Sequence, residues 1–277
     1  MDQPKNLQVR IVIGLTNPFQ NPIMRRSTVT LGLTLSLIMA DSNAAAVTGW
    51  ATTSTTVTLS NTSTASPTWG SGAADNAKAS NLYASFPSIT LAAVGDAVTL
   101  TGSAPLVGAS VSGTGGGFFR FGVFDVNSKT DTNGWLGYLT YSAGSANSGT
   151  LYERTSGNTG AFTSSTGATS VATVAAMGTG VVLTNTQYDF TFNIALTAPQ
   201  KLTITSSLKR HSDNLDFGNL TFTDTTPQTY TFNRVGFQNT TDTNADQIQM
   251  SNVAVVPEAS ACLLGGLGVL ALLRRRR

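Results

Sequence analysis

The side chains available for chemistry in this 277-residue chain are few: two glutamates, Glu153 and Glu258, one histidine, His211, and one cysteine, Cys262. Glycoside hydrolysis needs two carboxyl groups facing each other across the scissile bond. Glu258 opens onto an apolar tail, which leaves Glu153 without a glutamate partner and outside any Glu-x-Asp-x-x-Glu strand. Among the aspartates only Asp189, in Tyr188-Asp189-Phe190, lies inside an aromatic run, and alternation puts it on the polar, solvated side of that strand. His211 sits in Lys209-Arg210-His211-Ser212-Asp213, but nothing around it forms the sharp turn that presents a nucleophilic serine, so it reads as a turn residue. The glycines of Gly113-Thr114-Gly115-Gly116-Gly117 lack the following lysine and helix of a phosphate cradle and read as a loop. The expectation is a protein that is not an enzyme.

Two binding chemistries stay open. Asp242-Thr243-Asn244-Ala245-Asp246 offers oxygens at alternate positions, as calcium loops do, although Gln247 stands where the sharp turn wants glycine. Asp125-Val126-Asn127 and Asp131-Thr132-Asn133-Gly134 are similar and equally incomplete, and Asp and Asn form turns without any metal. Structural calcium at Asp242, Asn244 and Asp246 is therefore the one cofactor entertained. Trp135, Tyr138 and Tyr141 could stack on sugar rings, though such rings fill cores equally well.

The elements that would position these groups read as strands. Tyr188, Phe190, Phe192, Ile194 and Leu196 alternate with Asp189, Thr191, Asn193 and Ala195, and Ala198-Pro199-Gln200 leads into a second alternating run from Lys201, which predicts a hairpin. Shorter strands are expected at 57–59, 89–91, 97–101, 118–124, 135–141, 151–154, 181–184, 220–223, 229–232, 235–238 and 248–255, with 155–173 a surface loop. About a dozen short strands with Gly, Asn, Ser and Thr between them predict an all-β, antiparallel two-sheet jelly-roll sandwich.

Charged residues make up 11% of the chain, and the basic ones concentrate at its two ends. Between Val47 and Val253 eight basic residues face eleven acidic ones, a balance of −3 that excludes a nucleic-acid partner. With Cys262 alone, in the tail, neither disulfides nor cysteine-bound metals are expected.

The ends carry a different message. Met24-Arg25-Arg26-Ser27, the apolar run Val29 to Ala40 and the small residues Ala44-Ala45-Ala46 follow the three-part order of a secretory signal peptide. Translation is expected to start at Met24, with residues 1–23 an extension, 24–46 the signal, and 47–255 the body. The far end reads Val256-Pro257-Glu258-Ala259-Ser260, an apolar stretch to Leu273, then Arg274, Arg275, Arg276 and Arg277. Fifteen residues from Ala259 to Leu273 would span about 22 Å as a helix against about 30 Å of hydrocarbon. Arginines held on the cytoplasmic side would stop translocation, leaving the body outside.

This tail, residues 256–277, resembles the PEP-CTERM sorting signal: Val256, Pro257, Glu258 and Ser260 match its motif, and Ala259 stands where the commonest form has a second proline. The resemblance implies an exosortase-like membrane transpeptidase as partner, cutting near the motif after export through the Sec translocon and signal peptidase. Phe119-Arg120-Phe121-Gly122-Val123-Phe124, Gly134-Trp135-Leu136-Gly137-Tyr138, Arg234-Val235-Gly236-Phe237 and Asp246-Gln247-Ile248-Gln249-Met250-Ser251-Asn252-Val253 resemble the concanavalin-like, laminin-G-like sandwiches. The leading expectation is an exported cell-surface or matrix protein, at least transiently anchored in the inner membrane. The alternatives are a carbohydrate-binding lectin-like module that stacks polysaccharide on Trp135 and Tyr138, and a polysaccharide hydrolase with an unrecognised site.

Overall fold

A computed structural model describes residues 44, 47–108, 119–143, 148–155, 161–165, 168–175, 185–240 and 243–258. The segment expected to be a signal peptide, Ala44 apart, and the apolar and arginine parts of the tail lie outside these residues. Among the described residues no helix is long and apolar enough to cross a membrane.

The described chain is all-β, in two antiparallel sheets. Its strands are β1 (Thr48–Ala51), β2 (Leu59–Ser60), β3 (Thr68–Trp69), β4 (Ser80–Thr90), β5 (Ala97–Val107), β6 (Phe119–Asp125), β7 (Leu136–Tyr141) and β8 (Gly149–Arg154). They continue with β9 (Ala168–Val174), β10 (Thr186–Ala198), β11 (Lys201–Arg210), β12 (Leu220–Asp224), β13 (Thr231–Asn239), β14 (Gln247–Gln249) and β15 (Ser251–Glu258). One sheet runs β1-β4-β13-β6-β7-β8-β9, the other β12-β11-β10-β5-β14-β3-β2 with β15 also on β5. The neighbours β4, β13 and β6 come from distant parts of the chain, as a jelly-roll sandwich requires.

The expected hairpin is β10 and β11, in one register from Tyr188 opposite Arg210 to Leu196 opposite Leu202, with a shift before Ala198 opposite Lys201. Pro199 supplies the fixed φ of the first turn position, and Gln200 takes the left-handed conformation at φ 60°. Alternation along β10 buries Tyr188, Phe190, Phe192, Ile194 and Leu196. Phe190 and Phe192 meet Phe121 and Phe237 of the other sheet, with ring centroids 5.2 to 6.0 Å apart. Each such ring, buried, contributes about 2 to 3 kcal/mol, so a body without cysteine rests on this aromatic layer between the sheets.

The sequence reading needs three corrections here. Ala168–Val174, expected within a loop, is the edge strand β9, paired with β8 from Gly149 opposite Val174 to Arg154 opposite Ala168. Its Ala-Thr-Ser-Val-Ala-Thr-Val run lacks strict alternation and large side chains, and Val171, Ala172 and Val174 pack only half-buried against the core once it pairs with β8. The segments expected at 229–232 and 235–238 merge into the single strand β13, and 89–91 is the end of the longer β4. The strand expected at 181–184 lies outside the described residues.

β6 and β7 approach so closely that glycine is required twice. A Cβ on Gly122 would run into the carbonyl oxygen of Tyr138, and one on Gly137, at φ 122°, into that of Val123. These are backbone atoms held by the sheet ladder and cannot give way.

Candidate functional site

Strand alternation divides the side chains of the β7–β8 pair between two faces. Tyr138, Thr140, Leu151 and Glu153 face the eight-stranded sheet, while Leu139, Tyr141, Tyr152 and Arg154 face away from it. Chemistry gathers on both.

Between the sheets, Glu153 and Asp224 meet, the second at the end of β12 on the same face as Leu220 and Phe222. The Tyr138 hydroxyl donates to Asp224 Oδ2 at 2.5 Å, and the Thr226 N–H to Oδ1 at 2.8 Å. Beside them the Ser206 hydroxyl bonds Thr140 Oγ1 at 3.1 Å, so a short polar seam ties β11 and β12 to β7 and β8. Glu153 Oε1 is buried with no donor on it. A hydrogen bond between two carboxyl groups requires that one carry a proton. Burial pushes Glu153 up to about 7, the adjacent Asp224 carboxylate and the hydrogen bond to it add to the rise, and a backbone bond from Gln228 opposes it. Burial, with the bond to Asp224, raises the Tyr138 hydroxyl as well.

Sequence reasoning left Glu153 alone because among the aspartates it credited only Asp189 with a place inside an aromatic run. The available signal was the period-two run Leu220-Thr221-Phe222-Thr223-Asp224, which puts Asp224 on the buried side. As a pair these carboxyls can hold and release a proton. They sit 9% and 3% exposed between two sheets, which gives a polysaccharide chain no access to them.

On the outer face of the seven-stranded sheet, the segment Ala161 to Ser165 lies across β6, β7 and β8. Phe162 stacks on Trp135 at 5.0 Å and packs edge-on to Phe124 and Tyr83. Arg120 donates to Thr163 O at 3.0 Å and to Gln238 Oε1 at 2.8 Å, and its guanidinium lies 3.6 Å over the Tyr141 ring. The Tyr141 hydroxyl also donates to Thr163 O. Arg154, fully buried, donates to Ser164 O at 2.8 Å and Trp135 O at 3.1 Å, and burial lowers it to about 10.

Most of the sequence-derived candidates take structural places. Trp135 is 3% exposed beneath Phe162 and Tyr138 1% exposed between the sheets, so neither ring offers a face to a sugar. The half-buried Tyr83 and Tyr152, which the sequence patterns did not single out, stand on the outer face instead. His211 is an exposed turn residue, Nδ1 2.6 Å from Asp189 Oδ2, and Asp189 also accepts from Gln187. Asp189 is thus half-exposed, as expected, but carries a partner. Nearby Asp213 is held down at about 2 by its bonds to Arg210.

Of the calcium candidates, Asp242 lies outside the described residues. Asp246 accepts the Asp75 N–H at 2.8 Å, and Asn244 Oδ1 is buried without a donor. Asp125 and Asp131 accept the N–H groups of Asn127 and Asn133 in local turns. Among the described residues, no three acidic, histidine or cysteine side chains converge.

The segment expected to be a sorting motif begins inside the sandwich. Val256, Pro257 and Glu258 are the last residues of β15, opposite Thr99, Val98 and Ala97 of β5. Ser260 and Arg274 to Arg277 lie outside the described residues.

No protein-family profile matches the sequence, and no curated protein does. Several solved structures resemble the fold. They include the metal-free carbohydrate recognition domain of Emp46p, at 10% identity over 73% of this chain and 87% of that one, TM-score 0.41. The VIP36 exoplasmic/lumenal domain in its Ca2+/Man3GlcNAc-bound form matches at 8% identity over 76% and 84%, TM-score 0.42. A Lotus tetragonolobus seed lectin matches at 7% over 76% and 92%, TM-score 0.43. At such identities and TM-scores these likenesses assign no residue a role.

Proposed function

We propose that the chain is an exported surface protein whose β-sandwich is delivered by the C-terminal signal and acts by binding, with no catalysis of its own. One observation supports this reading: Val256-Pro257-Glu258 are the last three residues of β15, so the sandwich runs into the motif with no linker between them. The tail beyond it is apolar to Leu273 and then basic, the order that holds a chain across a bilayer with the arginines inside. The partners are the Sec translocon, signal peptidase and an exosortase-like transpeptidase.

Intact mass spectrometry of the protein from its native host, membrane and extracellular fractions apart, tests the reading. The expected mature species starts near Val47, ends near Pro257 or Glu258, and is extracellular. A membrane species retaining Arg277 would make the tail a plain anchor.

A carbohydrate-binding role is the second reading, favoured by the outer face, where Tyr152 and Tyr141 rings lie 4.7 Å apart beside Arg120, with Tyr83 on the same face. On that reading Tyr152→Ala lowers polysaccharide affinity by about tenfold, the effect of one stacking aromatic. Glycan-array signals equal for the variant and the parent would end it.

A further inference from the structure

β15 has two unlike halves. Val253 and Val255 are buried in the main core, 1% and 0% exposed, and the outer edge nearby is covered where the Val253 and Met250 N–H groups bond Ala65 O and Pro67 O. Beyond Val255 the strand holds on by little. Val256 and Pro257 are half-buried and Glu258 exposed, and among the described residues no strand pairs with the outer edge of Ala254 to Glu258. Pro257 has no N–H to give to the ladder. Among the described residues one side-chain tie is left: the Thr99 hydroxyl donates to Glu258 Oε1 at 2.9 Å while accepting from Asn193 Nδ2 at 2.7 Å, a chain of bonds running across β10, β5 and β15.

We propose that the sandwich stores the sorting motif as its closing strand, and that Val256 to Glu258 must unpair from β5 before the transpeptidase can take the tail. The proposal rests on the sorting reading above and adds its gate. Cutting breaks a peptide C–N bond: the enzyme's cysteine thiolate adds to the carbonyl carbon and the tail leaves as an amine, gaining a proton. The thioester then passes the body to an acceptor amine or to water. A peptide in the ladder has one edge occupied by β5 and one face on the sandwich, so an enzyme cleft cannot close around it. The buried Val255 confines the opening to the last three residues, which makes it a local event that leaves the core intact.

The test is a cross-link between opposed residues of an antiparallel pair, Thr99→Cys with Val256→Cys, a separation that suits a disulfide. The full-length chain, its native Cys262 kept, is expressed in the native host, and peptide mapping selects the 99–256 cross-linked species. Tail loss is read by intact mass against both single-cysteine variants. The locked protein is expected to lose its tail at least about tenfold more slowly, and reductant restores the rate. A second variant, Thr99→Val, keeps the strand but removes the tie to Glu258, and is expected to speed tail loss about two- to threefold. Tail loss from the locked species at the single-variant rate, or no gain from Thr99→Val, overturns the gate while leaving sorting standing. If the parent itself never loses the tail, the sorting reading fails and the gate with it.

Discussion

Glu153→Gln is expected to make the protein more stable at pH 8 and nearly unchanged at pH 5. In the folded chain Glu153 titrates at about 7, against 4.5 when unperturbed. A carboxyl that is harder to ionise when folded binds its proton more tightly in the native state. Its contribution is therefore fully present below about pH 4.5 and is lost as pH rises from there through about 7. Above that window the Glu153 carboxylate faces Asp224 between the sheets, with the Tyr138 hydroxyl and the backbone N–H groups of Thr226 and Gln228 against them. The whole shift corresponds to about 3 kcal/mol, and partial opening of the seam will return some of it. Glutamine keeps the shape and supplies an N–H donor to Asp224 at every pH. Urea unfolding of parent and variant at pH 5, 6.5 and 8 reads the difference. A parent whose stability is flat across that range would mean that the pair does not share a proton in the folded protein.

Loss of the buried arginine carries the second large effect. Arg154→Ala is expected to cost about 3 to 5 kcal/mol, the range for breaking a buried charged hydrogen-bonding group out of its network. The carbonyls of Trp135 and Ser164 lose their donor, and the space beneath Ala161 to Ser165 empties. Arg154→Met, which fills the space without charge, is expected to cost about 2 kcal/mol, because it removes the donors to the Trp135 and Ser164 carbonyls. Lysine should not rescue, because one ammonium cannot meet acceptors that the planar guanidinium reaches from separate nitrogens. Trp135 is the reporter, since it lies under Phe162 and its fluorescence moves to the red when the segment lifts. A urea midpoint for Arg154→Ala within about 1 kcal/mol of the parent would show that the segment is held by Phe162 packing and not by the arginine.

How far each feature could be read from the chain alone depends on how local its cause is. The β10–β11 hairpin was legible because alternation and a Pro-Gln turn lie within one stretch of chain. β9 was not, because its mixed Ala, Val, Thr and Ser residues have no clean alternation and become a strand only beside β8. Asp224 stands one residue past the strand expected at 220–223, where continued alternation would turn it inward, but nothing in the sequence makes it the partner of Glu153, which is distant in sequence and belongs to the other sheet. Trp135 and Tyr138 read as aromatics able to stack on a ligand, and their burial came from Phe162 and from the facing sheet.

The amino-acid sequence by itself determined the all-β character of the body, its acidic balance, its freedom from disulfides, and the three-part pattern of each end. All of these are properties of composition or of period along one segment, and they hold whatever the segment packs against. The tertiary structure alone decided which polar groups meet between the sheets, which arginine is buried, and that Val256-Pro257-Glu258 lies paired against β5. Those depend on strand order and register, where a shift of one residue turns every side chain to the other face. Alternation tells which way a side chain points. Only the closed sandwich puts something opposite it.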